Sequence, residues 1–217
     1  MQLAVLAKDC LSSCMQELGW SEVEHRFGMY FKQKSAEIEF YFSMNAPDDS
    51  ESGPLFLLPV VGVTHCETSR LEERFLGLPP TPGPLVGTVG RGLLDLWWRE
   101  GRTLDDRWVI RSRDDVEQVI GRVVEDFELY GLPFLQSLGT LEDIIRYLKR
   151  IPRGQEMSGK LAIACALHGL YDDAAAALEE YAAEARDQVP PMSTQSWEFI
   201  RSYGEYFRDL PIAIPQP

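Results

Sequence analysis

The most chemically capable side chains of this 217-residue chain gather between Arg91 and Arg113, where six arginines and three tryptophans stand against four acids. Arginine presents a flat, permanently charged fork to carboxylate or phosphate and stacks on indole faces. Arginine and tryptophan are also the residue types enriched at interface hot spots. Arg91, Trp97, Trp98, Arg99, Arg107 and Trp108 are therefore the candidate binding residues. The competing structural reading puts Arg107, Arg111 and Arg113 on the wet face of a strand, with Trp108 packed inward.

The other tempting motifs carry less. Gly87 to Gly92 (GTVGRG) is glycine-rich, but it lacks the Lys-Ser/Thr ending of a Walker loop and the dinucleotide fingerprint spacing. It reads as a structural loop. His65 and Cys66 are adjacent, which does not suit chelation of one metal, and His25 and His168 stand far from any ligand pattern. Cys10 and Cys14 are one helical turn apart but lie on an apolar stripe, where cysteine behaves as a small hydrophobe. The carboxylate pairs Asp105-Asp106, Asp114-Asp115 and Asp172-Asp173 fall at helix starts or turns, where they cap amides. No GxSxG elbow and no Cys–His signature is present. No catalytic residue, metal site or cofactor is assigned, and the enzyme reading has no motif behind it.

Composition bounds the function classes. The net charge of −13 is spread along the chain, with 16 basic against 24 acidic residues in 1–150 and 5 against 10 in 151–217. Such a field repels phosphates and anionic membrane surfaces, so nucleic-acid and membrane binding are disfavoured. It speeds encounter with a basic partner. The first helix carries Lys8 and Asp9 without a basic leader or a cleavage site, so it is not expected to be a signal peptide. With no long apolar run for a membrane span and four scattered cysteines, the chain is expected to be cytoplasmic, its thiols reduced.

Leu3, Leu6, Ala7, Cys10, Leu11, Cys14, Met15 and Leu18 make one apolar helical stripe ended by Gly19. Strands are expected over 26–33 and 38–45, joined as a hairpin, and over 55–63, where Pro59 points to an edge or bulge. A short helix is expected near 69–75. The prolines and glycines of 77–92 read as an ordered loop or flap. A short amphipathic piece over 93–99 and a strand over 107–111 follow. The pattern then turns helical: 114–130, ended by Gly131-Leu132-Pro133; 141–149, opened by Thr140 with Asp143 three residues on; a hairpin of 158–168 and 172–187; and 197–207. The hairpin resembles one tetratricopeptide-like unit, with no second copy. Strands first and helices after argue an α+β fold. The expected organisation is an N-terminal helix packed on an antiparallel sheet in 1–150, followed by a mostly helical part in 151–217.

Leu18-Gly19-Trp20 after the first helix, Phe27, Phe31, Gln33-Lys34-Ser35, Phe42-Ser43-Met44-Asn45, Trp108 before a long helix, and Leu132-Pro133-Phe134-Leu135 after it form a pattern. It resembles an uncharacterised bacterial family, the domain of unknown function 4304 group. The resemblance covers 3–45 and 107–148, while 46–106 and 150–217 have no counterpart, and it transfers no catalytic residue. It implies a helix-plus-antiparallel-sheet core and a place among small immunity or accessory proteins. The resulting expectation is a non-enzymatic protein-binding protein whose acidic surface meets a basic, toxin-like partner. The alternative is a binder of small anionic ligands, or an enzyme, with a pocket under the 77–92 loop.

Overall fold

In a computed structural model the described residues are 3–23, 28–45, 53–79, 87–98 and 107–217. In chain order the elements begin with helix α1 (Leu3–Glu17), strands β1 (Ser21–Glu22), β2 (Met29–Gln33), β3 (Ile38–Asn45), β4 (Leu55–Phe56) and β5 (Leu58–His65), and helix α2 (Cys66–Phe75). Strand β6 (Val89–Gly92), helix α3 (Leu93–Trp98) and strand β7 (Val109–Ile110) follow. Helices α4 (Val116–Asp126), α5 (Leu132–Gln136), α6 (Leu141–Leu148), α7 (Gln155–Leu167), α8 (Tyr171–Asp187) and α9 (Met192–Tyr206) complete the chain. The fold is α+β.

Two compact units form, Met1–Val63 with Val89–Ser137 and Thr64–Thr88 with Leu138–Pro217. The segment 64–88, expected with the sheet, groups with the C-terminal helices.

In the first unit the apolar stripe of α1 buries Ala4, Ala7, Leu11 and Met15, and the helix packs on α4. Gly19, at φ 75°, supplies the left-handed residue that stops it. The sheet runs β1-β2-β3-β5-β6, and β2 and β3 form the expected hairpin, Met29 opposite Ser43 through Gln33 opposite Glu39. Along β3, Ile38, Phe40, Phe42 and Met44 are buried while Glu39, Tyr41 and Ser43 are half-exposed, the alternation of a sheet with one packed face. The expected single strand over 55–63 instead breaks at Leu57. Its first part pairs with β7, Leu55 opposite Ile110 and Phe56 opposite Val109, while β5 enters the larger sheet between β3 and β6. Pro59 sits near the start of β5, ahead of the segment 60–63 that pairs with β6, where its missing N–H costs least.

The glycine-rich stretch corrects its sequence reading. Val89–Gly92 is a strand, with Gly90 opposite Gly62 on β5. The Tyr41 ring lies over both: a β-carbon on Gly62 would stand 2.2 Å from Tyr41 Cζ, and one on Gly90 would stand 2.5 Å from its hydroxyl. Glycine is required there by close approach of a neighbouring side chain. Gly62→Ala is expected to cost about 1–3 kcal/mol by overpacking. The same change in a Tyr41→Ala background should cost less, a coupling that urea unfolding of the four proteins measures.

The long helix also departs from its expected end. Ser112 and Asp115 form a capping box at its start. At Phe127 the α ladder widens into a π-helical segment, Phe127–Gly131, that runs directly into α5. Pro133 has no N–H, and its ring would clash with the carbonyl four residues earlier. The wider π turn, in which the Leu132 N–H donates to the Phe127 carbonyl, accommodates it without ending the helix.

In the second unit α7 and α8 make the expected hairpin, turned at Gly169 (φ 79°), and α7 is buried along most of its length. Tyr181 of α8 stacks on Phe199 of α9 at 4.5 Å, and the Tyr203 hydroxyl donates to the Ala162 carbonyl at 3.1 Å. Phe75 of α2 inserts its ring among Phe199, Tyr203, Tyr206 and Phe207. Thr140 caps α6, its hydroxyl accepting from the Asp143 N–H at 3.1 Å. Among the described residues no helix is long and apolar enough to cross a membrane.

Candidate functional site

Three of the six sequence-selected residues meet at one place in the first unit. Where β4 and β7 pair beside α3, a cavity of about 110 Å³ is lined by Phe56, Leu58, Leu94, Trp97, Arg107 and Trp108, with Leu57 and Val109. Leu93, fully buried, anchors α3, so Trp97 one turn later faces the interior and is 5% exposed. Its indole N–H has no hydrogen-bond partner among the described residues. The Leu57 N–H donates to the Trp108 carbonyl at 3.0 Å, which locks the corner where the chain leaves one sheet for the other. That corner leaves the side chains on either side, Phe56 and Leu58, 50% and 51% exposed at the cavity.

Asp126 organises the charged side of the site. It is fully buried on α4 and accepts from Arg107 Nε at 2.5 Å, Arg107 Nη2 at 2.9 Å and Trp108 Nε1 at 3.0 Å. Arg107 Nη2 also lies 3.5 Å from the exposed Glu125 carboxylate. Arg107 is therefore not on the wet face of a strand. It is half-buried and clamped in a two-pronged ion pair of the strong, planar kind. Trp108 packs inward as expected, and only Val109–Ile110 of the expected strand forms.

Arg91 is half-buried on β6 opposite Val61 and does not line the cavity. Trp98 ends α3, while its side chain, Arg99, and the pair Asp105-Asp106 lie outside the described residues, as do 80–86 of the loop over the alternative pocket. Asp126 escaped the sequence reading although a signal existed. It occupies a stripe position of α4, with Val119 and Val123 at helical spacing before it, and an acid there requires a buried partner.

A second polar cluster, equally unforeseen, lies in the other unit. His65 caps α2, its Nδ1 accepting from the Thr68 N–H at 3.2 Å. The His65 N–H donates to Thr88 Oγ1 at 2.8 Å, and Ser69 and Thr88 hydroxyls are 3.2 Å apart. Lys160, 1% exposed, donates from Nζ to the Gly87 carbonyl at 3.2 Å and to Glu156 at 2.5 Å, and lies 3.7 Å from Glu72. Burial pushes the Glu72 carboxyl up to about 7. Lys160 was hidden in the otherwise apolar run KLAIACAL, and Glu72 among the charges of α2.

The cysteines form no disulfide. Burial pushes the Cys165 thiol up to about 11, which keeps it protonated and a poor nucleophile near neutral pH. Among the described residues no group of three His, Cys, Asp or Glu side chains could hold a metal ion. No family model, curated protein or solved structure matches the chain. The functional reading rests on geometry.

Proposed function

We propose that this chain is a non-enzymatic protein-binding protein, immunity-like or accessory in role, that seats an apolar side chain of a basic partner in the Trp97–Trp108 cavity. The observation that carries the reading is the pair of half-exposed apolar residues, Phe56 and Leu58, beside a cavity walled by two buried tryptophans. A cavity of about 110 Å³ is well below the roughly 300–1,000 Å³ of small-molecule sites, and it suits a single side chain. Buried aromatic pockets with an apolar rim are where interface energy concentrates. The net charge of −13 would steer a basic partner toward the surface, and Glu125, 62% exposed beside Arg107, offers that partner a local acceptor. The anionic-ligand reading is weaker at this place, because Asp126 and Glu125 together outweigh the charge of Arg107.

Capture from the native host at low salt, with wild-type and Phe56→Asp/Leu58→Asp proteins side by side, tests the reading. The expected result is a stoichiometric basic protein that raised salt releases and that the double variant binds about 30-fold more weakly, the loss of one hot spot. A partner held equally by both proteins would remove the cavity from the interface. A folded wild-type protein that captures nothing would count against protein binding altogether.

A further inference from the structure

We propose that Glu72, Lys160 and Glu156 form a proton-linked latch that holds α2 against α7. The latch lies wholly in the helical unit and stands whether or not the cavity of the other unit binds a protein. Its parts come from three places: Glu72 from α2, Lys160 and Glu156 from α7, and the Gly87 carbonyl from the chain just before β6.

Charge balance explains the switch. Lys160 is a single cation with 1% of its side chain exposed, and Glu156 at 2.5 Å, itself 61% exposed and well solvated, neutralises it. Glu72, with 10% of its side chain exposed and 3.7 Å from Nζ, is the second carboxylate around one ammonium. Neutral, it completes a balanced and largely satisfied cluster. Ionised, it adds a buried negative charge with no cation of its own, and that charge is best solvated when α2 lifts from α7.

The other groups facing Glu72 do not offset this. Glu73 on α2 and Glu156 on α7 both disfavour its charge. Arg74 is turned away over the Tyr206 ring of α9 at 5.1 Å. Burial raises the hydroxyls of Tyr181 on α8, to about 12, and Tyr203 on α9, so both stay neutral through the range concerned. His65, at the start of α2, is engaged in the helix cap, its Nδ1 accepting the Thr68 N–H.

The sign follows from the raised carboxyl. The closed state holds a proton that the open state gives up from 4.5 upward, so the closed form is fully favoured at low pH and loses ground until about pH 7. Hydrogen exchange of the whole protein, read as protection factors that divide out intrinsic exchange, tests it. Between pH 6 and pH 8 the amides of α2 should lose protection by about tenfold, while those of α6 hold steady. Glu72→Gln should abolish the dependence. A flat or rising α2 profile, an equal fall in α6, or an unchanged slope in Glu72→Gln would overturn the latch. If that variant fails to fold, the wild-type comparison of α2 with α6 decides alone.

Discussion

Asp126→Asn is expected to destabilise the protein by about 3 kcal/mol, and Asp126→Ala by as much or more, the range for breaking a buried ion pair. Three donors converge on this carboxylate, two from Arg107 and the indole N–H of Trp108. The asparagine variant is nearly isosteric, yet its NH₂ group would point a donor at donors. Trp108 is 8% exposed, so its N–H would lose its partner without regaining water, an additional cost of about 1–3 kcal/mol. Arg107 is 24% exposed and can recover some hydration, which sets the lower end of the range. Urea unfolding with an unchanged m-value is the measurement. Replacing Arg107 and Asp126 together by apolar residues of similar volume should cost less than either single change, because no buried charge is then left alone. A loss below 1 kcal/mol for Asp126→Ala would show that water already reaches the carboxylate. The clamp would then not be what fixes Arg107 and Trp108 at the cavity.

Residues whose partners lie close in sequence were legible. The stripe of α1 and the Thr140 cap with Asp143 both depend on neighbours within four residues, so their spacing alone determines the structure. Gly87 to Gly92 was not legible for the opposite reason. A glycine tolerated in a strand demands an external occupant, and at Gly90 the occupant is Tyr41 from β3, some fifty residues earlier, which also covers Gly62 on β5. Pro133 misled by the usual rule that a proline ends a helix. The π turn that accommodates it is set by hydrogen-bond register, which composition does not encode. At the site, composition marked Trp97, Arg107 and Trp108 because their residue types are unusual in an acidic chain. It could not mark Phe56 and Leu58, since their exposure comes from the corner at Leu57, where one apparent apolar strand divides between two sheets. Glu72 and Lys160 were invisible for a related reason. Each is ordinary on a helix, and only the packing of α2 on α7 makes them a buried pair.

Phe127→Ala is expected to cost about 3–5 kcal/mol, the range for emptying a fully packed aromatic position. Phe127 has no exposed surface and meets two rings edge-to-face, Trp20 at 5.3 Å and Phe42 at 5.1 Å. Each such pair adds about 0.5–1.5 kcal/mol beyond the area buried. The ring joins three elements at once: the chain after α1 through Trp20, β3 through Phe42, and the long helix at the start of its π segment. Gly131, where a β-carbon would stand 2.7 Å from the Phe127 ring, has no side chain to move into the vacated space. Phe127→Leu should therefore lose less than Phe127→Ala, since it restores volume without the ring geometry. Thermal and urea unfolding of the two variants give the comparison. Equal losses would assign the effect to the aromatic contacts, whereas a small loss in both would mean that the π turn relaxes toward an ordinary helix once the ring is gone.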